Sequence, residues 1–296
     1  MDYGRKIQFG FFLTPNAGDY AGCFRVAELC DQLGLDLIGI QDHPYQRRFF
    51  DTWTLMSALV SQTQGIRFFP DVINLPLRPP AILAKAAATL DLISGGRIEL
   101  GIGTGAFWEG IKAMGGPNRT PSEAVTALEE AISILRLMWS GERGLKFEGK
   151  HYQLNGAHSG PVPTHPIGIW LGAYGPRMLA LTGNKADGWV PSSSYASPQK
   201  LLDMQKQIDN AALEANRDPA TIQRLYNVMG EFNNSPSKEP FKGSKQQWID
   251  ELTDLVLDKG MDTFIIALPD PPEEKIRQFM GEIAPVVKDN VAKSRE

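Results

Sequence analysis

Strand-like and helix-like segments alternate from one end of this 296-residue chain to the other, and several strand-like ones repeat a single plan. A turn is followed by a short apolar run and then by a polar or glycine-rich tip, as in "LGLDLIGIQDH", "SGGRIELGIGTG", "NKADGWVPSSS" and "KGMDTFIIALP". Runs of this kind suit strands buried on both faces, with chemistry placed at their C-terminal ends. The pattern predicts eight strands, near 7–13, 36–41, 66–74, 96–102, 167–172, 187–191, 224–229 and 262–268. With helices between them, the expectation is an α/β fold: one (β/α)8 TIM barrel domain over 1–296 with insertions at its C-terminal mouth.

The long helix "SEAVTALEEAISILRLMWS" carries Val125, Leu128, Ile132, Leu135 and Trp139 at helical spacing, with Ser122 read as its N-cap. Two stretches exceed a minimal β/α unit. In "LKFEGKHYQLNGAHSGPVPTHP", Gly149 and Lys150 are placed at a hairpin turn, and "EFNNSPSKEPFKGS" reads as a lid. Cys23 and Cys30 lie two turns apart on one helix face, too far for a disulfide, and read as core residues.

A hydrophobic fraction of 42% supplies a large core, and a net charge of -4 offers no basic face for nucleic acid. The N-terminus lacks a secretory pattern, and no apolar run reaches the length of a membrane span. The expected setting is therefore cytoplasmic, with no membrane or nucleic-acid partner. His151, His158 and His165 recur every seven residues without nearby cysteines or paired acids, so no metal site is expected.

The stretch "SGGRIELGIGTGAFWEG" passes a loose dinucleotide-binding test, but three β/α units precede it and its acidic candidate, Glu123, begins a helix. The glycines fit better as a barrel-mouth loop that lets backbone approach a flat ligand.

Taken together, "LGLDLIGIQDH", "DVINLPLRPPAILAKAAATLDLISGGRIELGIGTG", "ALEEAISILRLMWSG" with "FEGKHYQL", and "IWLGAYGPRMLALTGNKADGWV" resemble the bacterial luciferase-like family of flavin- and deazaflavin-dependent oxidoreductases. The resemblance implies coenzyme F420 as cofactor, with FMN as the alternative. In its F420 branch a histidine after strand two works beside the ring; here that residue is His43, with Asp42 expected to orient it and hold its charge. The resemblance also implies a cis peptide at Asp71–Val72 behind the ring, and Asn74 at the ring edge. Gly103, Thr104 and Gly105 would line the ring and ribityl chain. Tyr174, Gly175, Pro176 and Arg177 would bind phosphate at a helix start, helped by Ser192 and its neighbours Ser193 and Ser194.

Some sugar-phosphate-oxidising relatives carry a glutamate directly after this GTG, where this chain has Ala106; its nearest acid is Glu109. The aromatic residues Phe11, Phe12, Tyr45, Phe49, Phe50, Trp53, Phe107 and Trp108 fit a pocket wall, with core packing an equal explanation for some, Trp53 in particular. Arg47 and Arg48 fit either a clamp for an acidic group or a solvated pair. The function expected is F420-dependent hydride transfer to or from a small organic substrate by a homodimer. The alternatives are an FMN-dependent monooxygenase fed by a flavin reductase, and a non-catalytic flavin-binding barrel.

Overall fold

The computed structural model describes residues 1–296. Its strands are β1 (Gln8–Leu13), β2 (Leu37–Ile40), β3 (Arg67–Pro70), β4 (Ile73–Asn74), β5 (Leu100–Gly103), β6 (Leu145–Glu148), β7 (Gln153–Ala157), β8 (Ile169–Leu171), β9 (Gly188–Trp189), β10 (Gln223–Met229) and β11 (Thr263–Ala267). The helices are α1 (Tyr20–Gln32), α2 (Thr52–Gln62), α3 (Pro80–Ser94), α4 (Trp108–Ala113), α5 (Pro121–Met138), α6 (Pro176–Lys185), α7 (Pro198–Glu214), α8 (Lys245–Leu257), α9 (Glu273–Gln278) and α10 (Ala284–Arg295).

Nine of these strands form one sheet in the order β3-β2-β1-β11-β10-β9-β8-β5-β4. Because β3 and β4 are two halves of one interrupted strand, its two ends meet, and the sheet is an eight-position barrel. The seam is drawn together on the β3 side as well, where the Phe68 N–H donates to Arg97 O (2.8 Å) and the Glu99 N–H to Phe68 O (3.0 Å). All the barrel pairings are parallel, as β/α connections require. Each of the eight strands expected from the sequence is present. The hairpin is also present, as the antiparallel pair β6–β7 with Gly149 and Lys150 between its arms.

Side chains fill the barrel rather than leaving a pore. Leu37, Phe69, Trp170, Val190, Leu225 and Ile265 form an inner cluster, with Phe12 and Val72 packed on it. At the N-terminal end the fully buried Arg224 donates to Asp209, and its own N–H donates to Asp262 Oδ2 (2.8 Å). Outside the barrel, α5 turns Leu128, Ile132 and Leu135 inward, with Val125 and Trp139 half-buried. Cys23 and Cys30 are buried free thiols on α1.

Two local expectations are corrected. The cap of α5 is Thr120, not Ser122: Thr120 and Glu123 form a reciprocal capping box around Pro121. The segment 231–244, expected as a lid, contributes no residue to the wall of the mouth cavity. Phe232 and Phe241 anchor it in the core, and the Glu231 N–H donates to Phe241 O (2.8 Å).

Candidate active site

The C-terminal strand ends open into a cavity of about 460 Å³. Its wall takes residues from β1, β2, β4, β5, β8, β9 and β10 or the loops just after them, including Phe12, His43, Asn74, Gly103, Tyr174, Ser192 and Asn227. In a parallel barrel this is where side chains from many strands converge without disturbing the core.

The floor is set by the interruption between β3 and β4. The Asp71–Val72 peptide is cis, and both residues line the cavity. Val72 occupies space that the neighbouring strands leave by lacking side chains. A Cβ on Gly103 would lie 2.8 Å from Val72 Cγ2, and one on Gly172 would lie 3.3 Å from it. A Cβ on Gly39 of β2 would lie 3.0 Å from Asp71 Oδ2. Beyond Gly103, Gly105 has φ +88°, a conformation that side-chain-bearing residues resist, and Thr104 beside it donates weakly to Gly105 O.

Asp42 and His43 are both at the end of β2, but they do not form a dyad. The Asp42 carboxylate accepts two hydrogen bonds from Arg78 (2.9 and 2.8 Å) and one from the Asn74 N–H (2.9 Å). Arg78 also bridges to Asp51 at 2.6 Å. Asp42 therefore locks the β4 turn to β2, and the expectation that it orients His43 is corrected. The partner of His43 is Tyr45, whose hydroxyl is 2.8 Å from Nδ1. This contact leaves Nε2 as the ring nitrogen without a protein partner. Burial pushes the imidazole below its ordinary value, and the Asp42 charge only partly offsets that. At neutral pH His43 is accordingly uncharged.

The expected phosphate site divides. Tyr174 and Ser192 line the cavity, and the Tyr174 hydroxyl accepts from the Ser192 N–H (3.0 Å). Gly175 and Pro176 open α6 with no side-chain cap; the Met178 and Leu179 N–H groups turn back to Gly175 O (2.9 and 3.0 Å) and Pro176 has no N–H, which leaves the Arg177 N–H as the first-turn donor without a partner. Arg177 is not in the cavity wall. Its guanidinium donates to the Ser122 carbonyl and hydroxyl (both 2.9 Å) and to Thr126 Oγ1 (2.8 Å), fastening α6 to α5. Ser193 is also committed elsewhere, accepting from the Met229 N–H, whereas Ser194 lines the cavity.

Other candidates lie outside. Glu109 is exposed on α4, and Arg47 and Arg48 are exposed in the loop after His43. His151, His158 and His165 do not converge, and no group of three His, Cys, Asp or Glu is placed to hold a metal ion. The sequence reading passed over Arg78 and Asn227. A polar residue inside the apolar run "RLYNVM" of β10 was the available signal for Asn227.

Three buried oxygens in this region lack a protein partner: Asp71 Oδ2, Asn74 Oδ1 and Asn227 Oδ1. Unpaired buried polar atoms are costly, and their concentration around one cavity fits a ligand that carries hydrogen-bonding groups of its own.

Residues 1–231 match the sequence profile of a family described as luciferase-like monooxygenase. The chain is 26% identical over 241 residues to the F420-dependent glucose-6-phosphate dehydrogenase of Gordonia bronchialis, covering 78% of this chain and 70% of that one. It is 28% identical over 221 residues to the protein of the same name from Nocardia farcinica, where it spans 71% of this chain and only 65% of the relative. Among solved structures, an F420-dependent secondary alcohol dehydrogenase in complex with an F420-acetone adduct superposes with a TM-score of 0.83 at 18% identity, over 96% of this chain and 99% of that one. The coenzyme F420-dependent tetrahydromethanopterin reductase from Methanopyrus kandleri gives 0.79 at 20%, over 95% and 99%. No helix of the chain is long and apolar enough to cross a membrane.

Proposed function

The chain belongs to the luciferase-like monooxygenase family, and from that premise we propose that it is an F420-dependent oxidoreductase acting on a small organic substrate. The observation that carries this reading is the arrangement of His43 over a glycine-relieved floor. Its imidazole is uncharged, is fixed through Nδ1 by Tyr45, and turns no other nitrogen to the protein. The relatives named as F420-dependent dehydrogenases support the choice of cofactor.

The residues present fit such a group. Asp71, Val72 and Gly103 form a floor on which a flat ring can rest, Asn74 offers an unpaired amide oxygen, and Thr104 and Gly105 border the cavity. The hydroxyls of Tyr174 and Ser192, with the Gly175 and Arg177 N–H groups at the uncapped start of α6, supply donors for an anionic tail, and Pro176 fixes the helix start without donating. Bound here, a deazaflavin supplies two-electron hydride chemistry. His43 holds or moves a proton at Nε2 beside the reacting centre, and Tyr45 keeps the ring from turning. Asp42 acts at one remove, holding the turn that carries Asn74.

Ala106 stands directly after the Gly103–Gly105 loop and Glu109 is exposed, so this loop brings no carboxylate to the position that the resemblance assigns to an acid in sugar-phosphate oxidation. We therefore place the substrate among small alcohols, enones and imines. The same reading takes the protein to be a cytoplasmic homodimer; light scattering checks the dimer, and cell fractionation the location.

Equilibrium titration with F420 and separately with FMN, followed by fluorescence, tests the assignment. Tight binding of F420 alone is the expected result. A preference for FMN replaces this reading with an oxygen-dependent monooxygenase served by a flavin reductase, and binding of neither ends it. Bound cofactor with no turnover on any substrate would favour a non-catalytic binder.

A further inference from the structure

Asp71 has no counterpart among the other carboxyl groups at the cavity. Asp42, the only other carboxylate in the wall, is neutralised by Arg78. Asp71 is 8% exposed, has no cation within salt-bridge distance, and keeps Oδ2 buried without a partner. Its Oδ2 lies against Gly39 of β2, and Asn227 of β10, which lines the same cavity, is the neighbouring polar side chain that bears on it. Leaving this oxygen charged would bury an uncompensated anion, whereas a proton on the carboxyl removes the charge and converts an acceptor into a donor.

We propose that Asp71 is a ligand-binding residue that works as a neutral carboxylic acid, donating a hydrogen bond to an acceptor atom of the bound heterocycle. The proposal rests on the cofactor reading above and adds to it a proton that must be present for tight binding. Burial drives the Asp71 carboxyl up to about 7, against the smaller opposing pull of Asn227. The group is thus poised to change state within the physiological range.

The other groups facing it do not duplicate this titration. Tyr174, beyond β8, is raised to about 12 chiefly by burial, and Tyr45 is also raised by burial, so both stay neutral. His43 is lowered. Asp42 is engaged by Arg78, and Tyr195 packs its ring against Tyr174 at 5.5 Å.

The test is the dissociation constant of F420, and separately of FMN, for wild type and Asp71→Asn between pH 5 and 9. Ionisation of the ligands themselves is common to both proteins and cancels in the comparison. Wild-type affinity should fall by about tenfold per pH unit above pH ~7, and Asp71→Asn should lose that slope. Equal slopes in the two proteins would overturn the proposal and leave the cofactor reading intact. Binding of FMN alone, with the slope present only in wild type, would keep the proposal and remove F420. Binding of neither ligand at any pH overturns both.

A second readout does not depend on the variant. In infrared difference spectra at pH 8, ligand addition to wild type should strengthen a protonated-carboxyl band. A weakened or unchanged band would overturn the proposal even if Asp71→Asn did not fold.

Discussion

At the level of single residues, Asp42 and His43 show how adjacency in sequence misleads. Both residues border the cavity, yet the Asp42 carboxylate is taken up by Arg78 and the Asn74 N–H, while the imidazole is held through Nδ1 by Tyr45 and keeps Nε2 free. The strand-end position of both was legible, because it follows from the apolar run before them. Their division of labour was not, since it depends on Arg78, which is 36 residues away in sequence. Each half makes its own prediction. His43→Ala should lower turnover by roughly 10²- to 10⁴-fold while F420 affinity stays within a few-fold, the size expected for loss of a positioned acid or base. Steady-state kinetics beside a binding titration checks this, and unchanged turnover would remove the role given to His43. Asp42→Ala should instead act on stability, because it leaves the buried Asn74 N–H without an acceptor and Arg78 with Asp51 as its remaining partner. A loss of about 1–3 kcal/mol in urea unfolding is expected, and no measurable loss would show that the contact is dispensable.

Among the elements, the strand positions were readable because runs buried on both faces must be apolar, and all eight were placed within a few residues. Of the two finer features, one is settled within a single helical turn and the other by a contact between neighbouring strands. The helix cap was misplaced because Thr120 and Ser122 are both good caps. The deciding signal was Glu123, three residues after Thr120, which closes the reciprocal box and has no such partner for Ser122. Thr120→Ala should cost about 1 kcal/mol in thermal or urea unfolding, and Ser122→Ala should cost less through the cap. The glycines of β5 were legible as a place of close approach, although what approaches first is protein, namely Val72. Gly103→Ala would put a methyl 2.8 Å from Val72 Cγ2 and push that side chain into the cavity. The expected result is an F420 affinity at least tenfold weaker with the far-ultraviolet spectrum unchanged. Unaltered affinity would mean that Val72 does not form the floor under the ligand.

Across the whole molecule, the two ends of the barrel carry separate titrating groups, which gives the stability curve a shape that can be worked out by sign. At the mouth, Asp71 is raised from 3.8 to about 7. The native state then binds more protons than the unfolded chain between these values, so this contribution is full below about pH 4 and is lost as pH rises through about 7. On the opposite side, His165 joins the chain after the hairpin to the barrel base. Its Nε2 lies 3.6 Å from Glu99 and its Nδ1 2.9 Å from Asp91. Glu99 raises the imidazole most, partial burial opposes, and Asp91 adds to the rise. Its contribution is full below the ordinary value of 6.5 and disappears as pH climbs through the higher native value. His43, being lowered, tilts the curve the other way below 6.5, so the differences between proteins are more telling than the wild-type curve alone. Asp71→Asn should flatten the decline between pH ~4 and ~7. His165→Asn should be destabilising below pH 6.5 and neutral near pH 9. Since the two groups share no partner, the double variant should show the sum of the two changes within about 0.5 kcal/mol. Urea midpoints measured at each pH decide the matter: a pH-independent effect of His165→Asn would show that the histidine packs without carrying charge, and an Asp71→Asn curve parallel to wild type would show that the mouth of the barrel does not hold its proton.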